Sequence, residues 1–570
     1  MTDELDFLRQ LQNAKSDDER TWLVTKHSLD SLPVDLAQMA YAAAVPHWFD
    51  AKILAALRPE LIEKAETLYA DLQRLPFIEP FSGRGHNVHE LTRKLMLDYL
   101  WREKREEYVE LSKRAVIFFV AQIADPSFYE QLTKIMSEEQ GEEKQQEKLK
   151  SWLEKNPDAV KPPDPQSTIE QIYHLLIANP EKGADAVLYQ GWKWHDEFDY
   201  TYATLSALTK AVREHVEAGR VDERGKGWGR FFEGMICYYR YQLQETVVAF
   251  LEVIASNYTD NKLNADTRFR LGEVHVYLSE LKEARTRYEQ ALPLYQAIGE
   301  KLGEANCISS LGDVHVRLSE LPQARTRYEQ ALPLYRAIGN RLGETNCIQA
   351  LGDVALEEKV FDLALKHYGE AIIVARSISP AVEANKIDDL AYVYVRQKDY
   401  TKAIQIYSLA INTFPNHAHS LNNRAMVYIK LKDTQSAEQD IEASAQLQPE
   451  RPYLFARRGE LAILLGNYDE AIAHFKSAIE RYPRMNGAYF GIGLANLHTG
   501  RISEATEAYR QGLKFTYKPS DLEDALDELD DLKKEQPTLE GVEEVLRMLN
   551  EWKPGGSSTD ASQSPLRVSG

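Results

Sequence analysis

Apolar residues recur at helical spacing over most of the 570 residues, and from residue 271 the pattern copies itself. Leu271–Ser310 and Leu311–Ala350 agree at thirty of forty positions, and most differences are charged or polar swaps. A self-match of this length marks stacked supersecondary units. Stacked helical hairpins build a long concave surface, and such surfaces usually bind other proteins.

Small residues set the register. Gly272 is followed by Ala284, Tyr288 and Ala291. The same steps give Gly312, Ala324, Tyr328 and Ala331, then Gly352, Ala364, Tyr368 and Ala371. They continue through Ala391 with Tyr407, Ala425 with Ile441, Gly459 with Phe475 and Gly493 with Tyr509; from Ala391 the anchors stand thirty-four residues apart. Two helices approach closely only where the crossing point carries Gly or Ala; the aromatic fills the gap one turn away, and Pro415, Pro449 and Pro483 stop second helices. This is the tetratricopeptide pattern, and the chain resembles that family over at least Asp266–Pro519. A weaker copy, Gly234 with Phe250, adds a unit upstream, and Ile169–Glu217 reads as further degenerate hairpins. The extra residues of the forty-residue units are placed around the AIGxxLGE turn, Ala297–Glu304. In this they resemble the longer variants in cytoskeletal adaptors and in the sensor arms of bacterial signalling ATPases.

The region before the repeats differs. Asp35–Val45 and Trp48–Leu57 are short helical patterns, and Glu60–Leu75 is an amphipathic helix. Phe77–Ser82, the turn Gly83–Gly85 and His86–Glu90 read as a β-hairpin, with a new helix from Leu91. Helices followed by a hairpin wing form a winged-helix arrangement. Over Leu75–Trp101 it resembles the winged-helix module of STAND signalling ATPases, with His89, Leu91 and Arg93 matching that family's HxLxR-like helix start. A helical-repeat sensor often follows there, as here. The ATPase does not: no GxxxxGK[ST] occurs, and GKGWG at Gly225–Gly229 has the wrong spacing. A winged helix also reads DNA, but Glu60, Glu63, Glu66 and Asp71 against Lys64 and Arg74 would repel phosphates.

These patterns divide the chain into a helical, winged-helix-like module at 1–136, a charged linker at 137–166 and degenerate repeats at 167–265. The main array follows at 266–519, with capping helices at 520–552 and a disordered tail at 553–570. In the cap, Ser520 with Glu523 forms a capping box, and Asp521–Asp531 holds seven acids in eleven residues, a polar end for a solenoid.

Charge narrows the partner class. The formal net charge of −20 lacks the basic footprint needed for nucleic acid or anionic membranes. The acidic start MTDELDFLRQ lacks a signal-peptide core, and the longest apolar runs, such as Ala115–Ala124, are too short to span a bilayer. A cytoplasmic location is expected. Cys237, Cys307 and Cys347 give no disulfide framework or zinc knuckle, and read as core residues.

Candidate chemistry is sparse. His86 and His89 in HNVHE lack a third ligand and order the wing-to-helix junction instead. His195, with Asp196, Glu197 and Asp199, reads as an aromatic stacking patch with an acidic rim. No cysteine has the setting of a protease nucleophile. The informative surface is the inner face of each first helix, whose positions the family resemblance supplies. They carry Phe269, Tyr277, Asn306, Asp313, Asn346, Gln349, Asp353, Asn385, Tyr392, Arg396, Asn422, Asn423, Lys430 and Arg457. Chaperone-binding members grip a C-terminal carboxylate with Lys, Asn and Arg. Asp388, Tyr392, Asn423, Tyr453 and Arg457 stand there, so only Asn423 and Arg457 match and Asp388 would repel the ligand.

The expectation is an all-α, right-handed solenoid of helical hairpins behind a small winged-helix module with a short β-hairpin, working by binding without enzyme activity or cofactor. Three functions remain: an adaptor or sensor subunit of a bacterial signalling or defence-type system, a regulatory or inhibitory subunit of a neighbouring enzyme, or a small-ligand sensor arm.

Overall fold

The structure, a computed structural model, describes residues 2–123, 164–196, 202–256, 258–516 and 518–553. The expected linker at 137–166 lies outside these residues but for its last three, and the tail at 553–570 but for Lys553. Contacts divide the chain into two units, up to Leu263 and from Asn264.

In the first unit, α1 (Thr2–Asn13), α2 (Asp17–Asp30), α3 (Val34–Ala43), α4 (Ala51–Leu57) and α5 (Ala65–Leu72) precede the hairpin β1 (Ile78–Phe81) and β2 (Gly85–Val88). The strands pair antiparallel, with Ile78 opposite Val88, and Phe49 bridges to His86. A Cβ at Gly85 would lie 2.5 Å from the Phe49 carbonyl oxygen, so the bridge needs glycine there. The helix expected over Glu60–Leu75 is divided: a 3-10 turn runs Pro59–Lys64, and the α-helix begins only at Ala65. Beyond the hairpin come α6 (Glu90–Glu103) and α7 (Arg105–Ile123), then α8 (Pro165–Ala178), α9 (Pro180–Asp196), α10 (Ala203–Glu217), α11 (Glu223–Tyr239) and α12 (Leu243–Ala255). The core joins Met39, Phe49, Leu97 and Phe119 with Ile177 of α8. No helix among the described residues is long and apolar enough to cross a membrane.

The second unit is an all-α solenoid built on α13 (Asn261–Tyr277), α14 (Leu281–Ile298), α15 (Lys301–Arg317), α16 (Leu321–Ala337), α17 (Arg341–Glu357) and α18 (Phe361–Ala375). It continues through α19 (Pro380–Arg396), α20 (Tyr400–Thr413), α21 (Ala418–Lys430), α22 (Thr434–Leu447), α23 (Pro452–Leu464) and α24 (Tyr468–Arg481). It ends with α25 (Asn486–His498), α26 (Ile502–Leu513), α27 (Glu523–Glu535) and α28 (Val542–Asn550). Each helix packs chiefly on its neighbours in sequence.

The register residues hold these hairpins together. The Tyr288 ring sits directly on Gly272, where an added Cβ would come within 2.6 Å of it, and Tyr328 sits on Gly312 in the same way. Ala284, Ala291, Ala324 and Ala331 are fully buried. Truncating such a ring removes about 3–5 kcal/mol of packing. Phe250 covers Gly234 likewise, which repeats the construction in α11–α12. Each hairpin turn is left-handed at one fixed place, seven residues after the anchor: Tyr241, Ser279, Ser319, Lys359, Lys398, Lys432, Gly466 and Gly500. The forty-residue units gain their length as helix. Helices α14 and α15 span 18 and 17 residues, whereas α21 and α22 span 13 and 14.

Candidate partner-binding groove

The first helix of each hairpin turns one face away from the ring-on-glycine core. On α17 that face carries Asn346, Gln349, Asp353 and Glu357, between buried Thr345, Ile348 and Leu351. In the forty-residue units most polar groups on this face are already bonded. Tyr328 donates to Asp313 and Tyr368 to Asp353, each at 2.6 Å, while Tyr335 donates to Asn306 at 2.7 Å. Lys386 bonds Gln349, and Asn385 Oδ1 meets His417 at 2.9 Å. Asn346 is exposed. Phe269 packs on Tyr288, and exposed Tyr277 accepts a bond from Arg484 through its carbonyl, at 3.3 Å. Asn422 is buried, and Asn423 beside it faces a cavity.

Further along, the groove holds a helix of the same chain. Helix α27 presents acids to the ends of the first helices. Arg396 meets Glu523 at 2.7 Å, and Lys398 meets Asp527 and Lys430 meets Asp524, each at 2.8 Å. Lys359 lies 3.4 Å from Glu523 and Lys432 3.7 Å from Glu535. Lys359, Lys398 and Lys432 are the three lysines at left-handed turn positions. That backbone disfavours a side chain by roughly 1–2 kcal/mol and is filled by Gly466 and Gly500 in the next two hairpins. The opposite face of α27, Leu529 and Leu532, packs with Phe490, Leu497, Tyr509 and Val545. The expected Ser520–Glu523 capping box is absent. Asp521 instead accepts the Lys518 backbone N–H at 3.1 Å, because Ser520 donates to Glu357 at 2.9 Å and Glu523 is drawn to Arg396.

Between α27 and the first helices lies a cavity of about 890 Å³. Its wall includes Asp353, Asp388, Tyr392, Asn423, Glu460 and Glu528. Burial pushes Asp388 up to about 7, with Asp389 adding to the effect; burial likewise takes Asp389 to about 7. Glu528 is pushed up to about 8 by burial, against the pull of Lys430, with Glu460 and Asp524 adding to the rise. Asp524 is held below the usual carboxylate range, because Lys430 overcomes its burial. Arg457 is tied to Glu460.

Profiles of the tetratricopeptide repeat match residues 260–337, 389–417, 418–451 and 457–516. The hairpins within these stretches match the tetratricopeptide repeat. Tetratricopeptide repeat protein 6 of Homo sapiens is 28% identical over 141 residues, 25% of this chain and 27% of that protein. Small glutamine-rich tetratricopeptide repeat-containing protein 2 of Mycosarcoma maydis is 33% identical over 92 residues, 16% of this chain and 25% of its own. Hsp70-Hsp90 organizing protein 3 of Arabidopsis thaliana is 26% identical over 91 residues, 16% of each chain. The chain thus spans about a quarter or less of these relatives. Among solved structures, a STAND protein with a tetratricopeptide repeat sensor from Pyrococcus horikoshii aligns with TM-score 0.43 and 14% identity, covering 83% of this chain and 66% of that one. Yeast Tom70 aligns with TM-score 0.42 and 14% identity, over 90% and 99%.

Outside the tetratricopeptide array, the first unit holds a buried ionic cluster that the sequence did not signal. Arg93 donates to Glu214 at 2.7 Å, to the Tyr173 hydroxyl at 3.0 Å and to the Pro46 and Val45 carbonyls. His47 meets Glu214 at 3.0 Å and also bonds Glu170. Although burial opposes ionisation, the facing Arg93 and His47 hold Glu214 well below the usual carboxylate range. These side chains satisfy one another, so the cluster ties α6 to α8 and α10. His86 bonds the Tyr69 hydroxyl at 2.8 Å. His195 meets Trp192 edge to face and bonds Tyr239, while Glu197 and Asp199 lie outside the described residues. Cys347 is buried and pushed up to about 12 by that burial.

Proposed function

We propose that this protein is a non-enzymatic interaction scaffold that holds a protein partner on the concave face of its forty-residue repeats. One observation carries the reading: the same face, from α17 onward, already binds a helix, α27, through Arg396, Lys398 and Lys430. A surface that seats one helix by rim charges and an apolar anchor has the construction that seats another. Asn346 is exposed on α17 and Tyr277 on α13, and these two are the proposed contacts. Asn306, Asp313, Gln349 and Asp353 shape the face while bonded within it. Tyr392, Arg396, Asn423, Lys430 and Arg457 belong to the half that α27 covers.

The setting we propose is an adaptor or sensor subunit of a bacterial signalling or defence-type system, with the N-terminal module presenting the captured partner. The order of short helices, hairpin and helical repeats supports it. A chaperone-cofactor role is disfavoured, because Asp388 is a buried carboxylate where a basic grip is needed.

The test is affinity capture from native lysate with the full chain. Wild type is run beside Tyr277→Ala/Asn346→Arg and beside Asp469→Asn, an exposed change on α24. A stoichiometric partner lost only in the first variant supports the groove. A partner retained by both moves the contact to the N-terminal unit. Capture of an enzyme whose activity falls on binding selects the regulatory-subunit reading.

A further inference from the structure

The cavity under α27 is lined by more carboxyl groups than cations. Lys430 and Lys518 are engaged by Asp524 and Glu357, and Arg457 by Glu460. Among the described residues Asp353 accepts one hydrogen bond, from the Tyr368 hydroxyl, with Lys518 and Lys386 acting on it from further off, and Glu528 makes no hydrogen bond or ion pair, although Lys430 and Arg457 act on it. Asp388 is decisive. Its side chain is 3% accessible, Oδ1 accepts from Ser420 at 2.7 Å, and Oδ2 has no hydrogen bond although the residue lines the cavity. The groups facing it are Asp389 on its own helix, Tyr407 from α20 and His417 and His419 from α21, with the imidazoles at 3.8 and 4.0 Å. Both imidazoles are pushed down, so they bring no positive charge at neutral pH. A buried carboxylate without a donor is unfavourable, and a ligand that supplies one gains what the free protein lacks.

The carboxylates fall in two groups. Asp353, Asp388 and Asp389 interact on α17 and α19, and Glu460, Asp524 and Glu528 interact across α23 and α27. The cavity, at about 890 Å³, is of the size that encloses a small molecule. A bare metal ion fits poorly: among the described residues no three His, Cys, Asp or Glu side chains are placed to hold one. Tyr392 and Tyr407 add ring surface to the wall, which suits an alkylammonium stem.

We propose that this cavity binds a small linear organic polycation of the polyamine class, with one ammonium group at Asp388 and Asp353 and another at Glu528. The site shares Asp353 with the open face assigned to a protein partner, but Tyr277 and Asn346 lie outside its lining, so the Tyr277→Ala/Asn346→Arg variant leaves it intact and the two readings fail independently. Spermidine would enter beside α27 and bring N–H donors to the Asp388 carboxyl group. Its charge would also favour ionised carboxylates where burial now favours protonated ones, so binding would release protons.

The test is calorimetric titration of the full chain with spermidine at pH 7, in two buffers of different ionisation enthalpy, with magnesium chloride as the control cation. One saturable site with proton release is expected, at least tenfold tighter than magnesium. Asp388→Asn keeps an acceptor for Ser420 and should weaken spermidine at least tenfold. Glu528→Gln, on the accessible side of α27, should do the same and release fewer protons. It decides the matter if Asp388→Asn does not fold. Asp469→Asn should bind as wild type. Spermidine binding no tighter than magnesium, or unchanged in Glu528→Gln, would overturn the proposal.

Discussion

The forty-residue and thirty-four-residue repeats share one register and treat their inner polar groups differently. In two of the longer units a tyrosine on the second helix reaches back to the acid beside the anchor, as Tyr328 does to Asp313 and Tyr368 to Asp353, while in the first Glu273 is bonded by Arg270. Each of these two tyrosine bonds lies within a single hairpin. In the shorter units the same fifteen-residue step matches Tyr392 with Tyr407, Met426 with Ile441 and Glu460 with Phe475, so no acid stands opposite a tyrosine. There the cations at the ends of the first helices are met from outside the hairpin, by the acids of α27. The difference teaches that a repeat with internal bonds can leave its groove face free, whereas a repeat without them is tied to what lies across it.

The strongest way to break this comparison is to remove the ring. Tyr328→Ala should destabilise α15 and α16 by about 3–5 kcal/mol. Because repeats are coupled to their neighbours, hydrogen exchange should rise there while α25 and α26 stay protected. Uniform loss across the array would contradict the hairpin-by-hairpin account. A smaller change isolates the hydroxyl. Tyr328→Phe leaves Asp313 without its donor and should cost about 1–3 kcal/mol, against less than about 1 for Tyr407→Phe. Equal losses in chemical denaturation would remove the distinction.

Acidity separates the halves more finely. Burial raises Asp388 from 3.8 to about 7 in the folded chain. The folded state therefore holds the extra proton between those values, and stability present below about pH 4 is lost as pH rises towards 7. Asp388→Asn removes that loss. In the absence of ligand it should be the more stable protein at pH 8, by about 1 kcal/mol after screening by water in the cavity, with the gap closing at pH 4. A gap that widens on acidification would contradict the assignment. The smallest effect belongs to the rim. Lys398→Ala should loosen α27 by only about 0.2–1 kcal/mol, and 0.5 M salt should mimic it. Exchange rates of α27 amides that ignore both changes would show that Leu529 and Leu532 alone hold it.

Much of this architecture is legible in the chain, because repetition is a local signal. Gly272 with Tyr288, and its equivalents, mark ring-on-glycine contacts at a spacing that can be counted, and the turn Gly83–Gly85 marks the hairpin. The sequence separates 1–136 from 167–265 at a charged stretch. The structure joins them through Arg93, Tyr173 and Glu214, whose pairing over 121 positions leaves no period to read. The seven acids of Asp521–Asp531 look like a soluble end because their partners lie far upstream, 129 positions for Lys398 with Asp527. A faint signal was present: lysine stands at the left-handed turn in three consecutive hairpins, where neighbours use Ser or Gly. Among the groove residues, the fifteen-residue step from Asp313 to Tyr328 would have shown which acids are bonded internally.

The most direct measurement is hydrogen exchange by mass spectrometry on the full chain, alone and saturated with its captured partner. Slowed exchange at Lys301–Arg317 and Arg341–Glu357, with the outer helices α16 and α18 unchanged, is the predicted result. Protection confined to those outer helices, or to residues before Leu263, would contradict the claim that the concave face of the longer repeats holds the partner.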